Sequence, residues 1–600
     1  MISHDIIVVG GGHAGIEAAL AARRLGAAVV LVTLRRDAIG RMSCNPSIGG
    51  VAKGQIVREV DALGGAMGRL IDATGIQFRM LNTSKGAAVV SPRAQADKYA
   101  YQRAAQAMVE AAGVHVVEGE AAELLTQPGS PPVIAGIRLS NGRELRAPCV
   151  VLTTGTFLSG VLHYGPEMIE GGRAGEPAAR GLSQSLRALG LRLGRLKTGT
   201  PPRLAAETID WSRTTEQAGD QPPRPFSFLS AAIRQPQVAC FITRTTAETH
   251  RVIAENLHRS PLVSGQIQGI GPRYCPSIED KIRRFADKES HHVFLEPESR
   301  ETNEVYPNGI STSLPRDVQE AIVRSIPGLE NARILRHGYA VEYDFVPPLQ
   351  VDATLQTKTA TGLYLAGQIN GTTGYEEAAA QGLMAGLNAA LTLAGRPPVV
   401  LRRDQAYIGV LIDDLTTRGT EEPYRMFTSL AEYRLRLRTD NADRRLTPLG
   451  MELGCVEAER TARFKTKLSE YERGQGFLRG TRLEGKTLHD WLRSPGFAWQ
   501  RAVELQPALA SLETEASATL ETDARYGGYL EREDQDAERL RQAEAVRIPD
   551  GMDYSTMTNL RKEAREKLGR VQPRTLGQAG RVPGIGPGDL LVIRAYLAGK

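Results

Sequence analysis

The stretch Asp5-Ile6-Ile7-Val8-Val9-Gly10-Gly11-Gly12-His13-Ala14-Gly15 decides how the rest of the chain is read. A β-branched run enters glycines spaced G-x-G-x-x-G, and an Ala-rich amphipathic segment from Ile16 to Leu25 follows, stopped by Gly26. This pattern predicts a strand, a tight turn and a helix. Gly10 admits the turn, Gly12 lets a pyrophosphate approach the backbone, and Gly15 lets helix and strand pack closely. The helix then aims free N–H groups and the positive end of its dipole at phosphate, so Gly10, Gly11, Gly12, His13, Ala14 and Gly15 are candidate dinucleotide contacts. A second buried strand is expected over Ala27 to Thr33, ending in Thr33 and Leu34 where an NAD site would place Asp or Glu. That departure disfavours NAD here. A later strand meeting glycine, Thr361 to Gln368, supplies a second phosphate-facing turn, and two such turns on one sheet favour FAD.

Outward from this unit, Ile39 to Gly54 is too rich in Gly, Asn and Pro for a strand and should line the pocket. Apolar spacing predicts helices over Gln55–Gly64, Arg93–Ala112 and Tyr375–Ala394. A strand over Val114–Leu125 brings the backbone of Ala122 to the adenine, and Gly136–Arg146 with its Asn141-Gly142 turn is a hairpin. At 600 residues the chain needs several cores. The fold class is α/β: a Rossmann-type FAD-binding domain in two parts, 1–203 and 331–396, with an inserted α/β domain at 204–330. An all-helical C-terminal region follows, divided into 397–546 and 547–600. No apolar run is long enough to span a bilayer and the first strand is entered without an export signal, so the expected location is the cytoplasm with no membrane association.

The five cysteines show no C-x-x-C and no zinc spacing, which excludes a paired-cysteine flavin disulfide reductase and leaves no metal site. Histidines 13, 291 and 292 have no ligand partner at usable spacing and read as surface or loop residues. Cys149 and Cys240 lie in apolar strands and read as packing residues, whereas Cys44 precedes Asn-Pro-Ser-Ile and Cys275 precedes Pro-Ser-Ile. Proline with serine is a helix-start signature, which places both thiols at helix N-termini that stabilise a thiolate, with Arg273 adding charge beside Cys275. A two-unit drop in pKa raises the thiolate fraction roughly 25-fold, and the accompanying loss of nucleophilicity removes roughly eightfold of it. Positioning therefore carries most of any catalytic effect. A net charge of +6 permits a polyanionic partner without requiring one. The arginines between 425 and 445 read either as such a contact or as a helix face stitched by Glu432, Asp440 and Asp443, and Val582–Gly588 resembles a phosphate-gripping helical hairpin or a plain turn.

Several blocks resemble one family. GGGHAG from Gly10, MSCNPSIGG from Met42, RLKTGTPPR from Arg195, GPRYCPSIEDK from Gly271, FLEPE from Phe294, YPNGISTSLP from Tyr306, AGQINGTTGYEEAAAQG from Ala366 and EPYRMFTSLAEYRLRLRTDNAD from Glu422 are similar to the flavin-dependent MnmG (GidA) family, which modifies the tRNA wobble uridine. The resemblance spans nearly the whole chain. It implies an FAD-dependent homodimer that works with the GTPase MnmE as a heterotetramer. The pair adds a carboxymethylaminomethyl or aminomethyl group to C5 of the wobble uridine, from methylenetetrahydrofolate and glycine or ammonium, with NADH as reductant.

By the same resemblance Cys44 and Cys275 are catalytic, and FAD is held by Gly10 through Gly15 and Gln368. The family's NAD segment falls on Gly271, Pro272, Arg273, Tyr274, Cys275, Pro276, Ser277, Ile278, Glu279, Asp280, Lys281, Ile282, Arg283, Arg284 and Phe285. From its charge, not from the resemblance, the helical region 397–546 is read as the tRNA and partner domain, with Arg425, Arg434, Arg436, Arg438, Arg444 and Arg445 as candidate RNA contacts. Ala87 and Val90 stand where the family has Pro and Arg, and Gly480 to Trp491 is shortened. Two readings compete: a non-catalytic FAD- and tRNA-binding scaffold, and a folate- and FAD-dependent tRNA uridine C5-methyltransferase, whose chains are shorter and lack the helical C-terminus.

Overall fold

The computed structural model describes residues 4–598. Five parallel strands form the central sheet, in the order Leu363–Leu365, Cys149–Leu152, Ile6–Val9, Val29–Thr33, His115–Glu118. Ile6 to Val9 are all buried, as a central parallel strand covered on both faces requires. The helix His13–Arg24 follows the glycine turn and packs against Tyr375–Leu393. Their approach is set by small residues: a Cβ on Gly382 would fall 2.0 Å from the Ala14 carbonyl, and one on Gly386 would fall 2.2 Å from that of Ala18. Backbone-to-backbone contact of this kind fixes the second phosphate-facing turn against the first.

The inserted domain is a six-stranded antiparallel sheet drawn from Arg203–Arg336, with its own apolar core around Ile253, Ile278, Leu295 and Ile322. Part of the inserted sequence folds back. Asp72 accepts the N–H groups of Phe226 and Ser227 at 2.7 and 2.8 Å, and Phe226 and Phe228 join the core of the first domain. A four-stranded sheet, Val161–Tyr164 and Glu167–Glu170 with Gly194–Thr200 and Tyr339–Phe345, bridges the two.

Beyond Arg396 the chain is helical except for a short antiparallel hairpin, Arg482–Leu483 with Lys486–Thr487, so the region is not all-helical as expected, and residues from Leu401 to Cys455 share the core of the dinucleotide domain. Separate apolar clusters form only later, around Leu478–Ala524 and Ile548–Ile593. Two expected elements differ. Ser91–Ala96 is a strand and the helix begins only at Lys98, where the Asp97 carboxylate caps it by accepting from Tyr99 and Ala100 N–H. Val114–Leu125 divides into His115–Glu118 in the central sheet and Ala121–Gln127 in an antiparallel hairpin sheet, because Gly119 breaks the run. Among the described residues no helix is long and apolar enough to cross a membrane.

Candidate functional site

A crevice opens at the carboxyl ends of the central strands, where an open parallel sheet places its ligand. Its space, mouth included, is about 1510 Å³, and Gly10 to Ala14, Thr33, Thr153 to Phe157, Gly367, Gln368 and Tyr375 line it. Gly10 has φ +109° and lies so close to the next strand that a Cβ would stand 2.3 Å from the Thr153 carbonyl. A Cβ on Gly15 would fall 1.8 Å from Gly10 O, whereas one on Gly12 would meet nothing within 4 Å. Bare backbone at Gly12 therefore faces open space. No side chain caps the helix His13–Arg24 and no acid sits in its first turn, so its N–H groups are free for an anion. Thr154 Oγ1 and His13 Nε2 are buried without partners. A dinucleotide fits these features: backbone donors, an uncapped helix end and two orphaned polar atoms. Gln368 lines the crevice as expected, while Ala121, Glu120 and Gly119 line it and Ala122 stands one residue outside, backing Gly181.

His13 is buried and not a surface residue; its ring stacks on Tyr375 with centroids 4.3 Å apart. Burial, with help from the Lys53 ammonium, pushes its pKa down to about 3, so the ring is neutral.

Cys44 lines this crevice. Its N–H donates to Tyr375 Oη at 3.0 Å, and its sulfur lies 3.3 Å from Tyr306 Oη and 4.0 Å from Gly199 O. It does not precede a helix. Asn45-Pro46 leads into the short strand Ser47–Gly49, which pairs with Ser91–Ala96, and the helix begins only at Lys53. Below the tyrosine, Arg203 stacks on the Tyr306 ring at 4.5 Å, donates to Ser43 O at 3.0 Å and pairs with buried Glu298 at 2.9 Å.

Cys275 meets the helix-start expectation. Ser277 is the N-cap of Ile278–Arg284, its hydroxyl accepting from Asp280 N–H at 3.3 Å. The thiol faces the surface of its loop, yet protein surrounds it on the other sides, and this burial pushes its pKa above the ordinary thiol value. The expected drop is thus reversed. Charge on Cys44 raises it further, while Lys281, Arg425 and Lys197 pull it down. Arg273 is not the expected neighbour charge: its exposed guanidinium pairs with Glu422 at 2.8 Å. The two sulfurs feel each other and both act on the Tyr306 hydroxyl, whose pKa burial and these thiols raise. Cys149 and Cys240 are buried, which pushes their thiols up to about 12.

Three family models match the chain: glucose inhibited division protein A over 5–397, and the MnmG/GidA tRNA modifying enzyme C-terminal helical domain over 458–534 and helical bundle over 536–600. The tRNA uridine 5-carboxymethylaminomethyl modification enzyme MnmG of Syntrophotalea carbinolica is 53% identical, covering 99% of this chain and 98% of its own. That of Rhodopirellula baltica is 54% identical over 99% of this chain and 93% of its own. The chain belongs to the MnmG/GidA family of tRNA-modifying enzymes. The structure of Aquifex aeolicus GidA superposes with a TM-score of 0.93 at 47% identity, covering 100% of this chain and 99% of that one.

Against this family background, part of the expected NAD segment is turned inward. Ile278 is in the inserted domain's core, and the Glu279 carboxylate accepts from Ser313 N–H and Oγ at 3.0 and 2.9 Å, so neither offers a free surface to a ligand. Arg273, Cys275, Arg283, Arg284 and Phe285 are exposed, Pro272 and Ser277 are buried, and the rest of the segment lies between. The arginine run also needs correction. Arg438 is fully buried between Asp440 and Asp523, Arg444 shares Asp523, Arg445 pairs with Glu59 at 2.9 Å, and Arg436 pairs with Asp534. Apart from the Arg436–Asp534 pair, which lies at the surface, these are internal ion pairs, made by acids partly remote in sequence. Arg434 is exposed, and Arg425 lies over the rings of Tyr274 and Phe427. At the C-terminus, the Val582–Gly588 turn gives its Gly586 N–H to Asp589, which pairs with Arg561, so the chain supplies its own anion there. Sequence reasoning missed Tyr306 and Arg203, although both lie in blocks that carried the resemblance.

Proposed function

We propose that the crevice binds FAD and that this chain modifies C5 of the tRNA wobble uridine with a carboxymethylaminomethyl or aminomethyl group. It works as a homodimer with the GTPase MnmE in the cytoplasm, on methylenetetrahydrofolate and glycine or ammonium, with NADH as reductant. Cys44 in the wall of the dinucleotide crevice, its sulfur 3.3 Å from Tyr306 Oη, carries this reading. Gly10 through Gly15 would hold the pyrophosphate, and Gln368 with the second turn would face the ribityl side. Bound flavin supplies the hydride or one-carbon chemistry that no side chain performs.

Uracil C5 is a poor nucleophile. A thiolate that adds to C6 forms the S–C6 bond and drives the C5–C6 π pair onto C5 and the O4 carbonyl, giving an enolate that attacks at C5. After C5 is substituted, its proton leaves to a base, and the S–C6 bond breaks to return the thiolate. One sulfur adds and the other relays protons, with the Tyr306 hydroxyl beside Cys44. Cys44→Ser and Cys275→Ser are each expected to lower nucleoside modification by at least about 10³-fold while retaining yellow flavin absorbance. Modification is read by mass spectrometry of tRNA nucleosides, and full activity in either variant overturns that residue's role.

A further inference from the structure

Gly374 is the N-cap of the helix Tyr375–Leu393, and both Gly374 and Tyr375 line the crevice. No side chain caps this helix, so its first N–H groups and the positive end of its dipole are open to an anion. Its first turn also carries two buried acids, Glu376 and Glu377, whose charge cancels the positive potential that the helix end would offer. One cation answers both. The Lys53 ammonium lies 2.7 Å from Glu376 and 3.1 Å from Glu377, and among the described residues no other cation is within ion-pair distance of either carboxylate. The Gly49 N–H donates to Glu376 at 2.7 Å and the Met426 N–H to Glu377 at 3.2 Å, while Glu377 Oε2 has no hydrogen bond and only this ammonium beside it.

None of the three side chains lines the crevice, yet the triad is pressed against its wall. A Cβ on Gly374 would stand 1.8 Å from Glu377 Oε2 and 2.5 Å from Lys53 Nζ, although Gly374 has an ordinary φ of −85°. The glycine is needed for the close approach of charge and not for its backbone angle. Burial works against the Lys53 proton, but Glu376 and Glu377 outweigh it and hold the pKa above the ordinary lysine value, so the ammonium stays charged. With Lys53 the triad carries one net negative charge, and without it two.

We propose that Lys53 is a positioning residue for flavin reduction: by neutralising one of the two acids behind Gly374, it keeps the crevice wall receptive to the negative charge of a reduced flavin. A hydride from NADH leaves the nicotinamide oxidised and brings two electrons and one proton, so the flavin becomes one unit more negative. The inference rests on the reading that the crevice takes FAD, and on neither the thiols nor the uridine. The test is the two-electron reduction potential of flavin bound to the full-length protein, read by absorbance during slow reduction by xanthine oxidase against a reference dye. Lys53→Met is expected to shift the equilibrium roughly tenfold toward oxidised flavin, a potential about 30 mV lower. Lys53→Arg restores the wild-type value. Glu376→Gln keeps an acceptor for the Gly49 N–H but removes a charge, so its potential rises, a reversal that loosened packing does not produce. That variant carries the test where Lys53→Met does not fold. An unchanged potential in Lys53→Met, or one that does not rise in Glu376→Gln, overturns the proposal while leaving the FAD reading intact. Wild-type protein that takes up no FAD overturns both.

Discussion

Cys44 and Cys275 have nearly the same sequence neighbours, C-N-P-S-I and C-P-S-I, and quite different surroundings. Cys44 is half-buried and bonded on both sides, its N–H to Tyr375 and its sulfur beside Tyr306, and the nearest strong cation, Arg203, is already neutralised by Glu298. Cys275 sits on a surface loop held by one turn and one cap, among cations that lack acidic partners within bonding distance. One thiol is held by geometry and the other is embedded in charge. This difference leaves one sulfur aimed by its bonds and the other under the pull of cations that burial outweighs.

The sharpest way to break the comparison is on the Cys44 side. Arg203→Met leaves buried Glu298 with only Lys98, and removing one partner of such a pair costs about 3 kcal/mol. Denaturant unfolding is expected to show that loss, and Cys44 alkylation should rise while Cys275 alkylation stays level. If both sulfurs respond alike, the two environments are not independent. A smaller effect tests the wall behind Cys44. The His13 ring has a pKa near 6.5 unfolded and about 3 in the fold, so the unfolded chain binds the extra proton between those values. Stability from the neutral ring is complete above pH 6.5 and declines toward pH 3, by about 2 kcal/mol at pH 5. In His13→Phe, urea unfolding should lose that part of the acid slope; an unaltered slope means the ring titrates normally.

What was legible follows from how far each signal reaches along the chain. The glycine turn, its flanking strand and helix, and the Ser277 cap are local, and each element forms where the pattern places it. The helix expected over Arg93–Ala112 loses its first turn because Ser91–Ala96 pairs with Gly75–Leu81, a partner that periodicity does not show. Cys44 fails the helix-start rule for the same reason, since its Pro-Ser enters a strand that pairs with those same residues. Arg438 reads as a surface cation until Asp523, far along the chain, is folded against it. The elevated Cys275 thiol likewise depends on protein brought in from other elements, which outweighs the helix end beside it. Residues given meaning by one segment were readable, and those given meaning by two were not.

The mildest test concerns the local element on which the Cys275 side depends. The helix Ile278–Arg284 has only seven residues, too few to stand by propensity, so its start rests on the Ser277 hydroxyl and on Ile278 seated in the inserted domain's core. Ser277→Ala removes the hydroxyl's bond to Asp280 N–H and is expected to cost about 1 kcal/mol. Most of that loss should be local, because the core contact remains, and amide exchange should quicken in Glu279 to Lys281 while the central sheet is unchanged. The cations around Cys275 come from three separate elements, so loosening one cap moves only Lys281. Cys275 alkylation should therefore shift by less than about threefold, and Cys44 should not respond. A response at Cys44 equal to that at Cys275 would mean that the loop and the crevice wall move as one body, and the contrast between an aimed sulfur and a charge-embedded one would collapse.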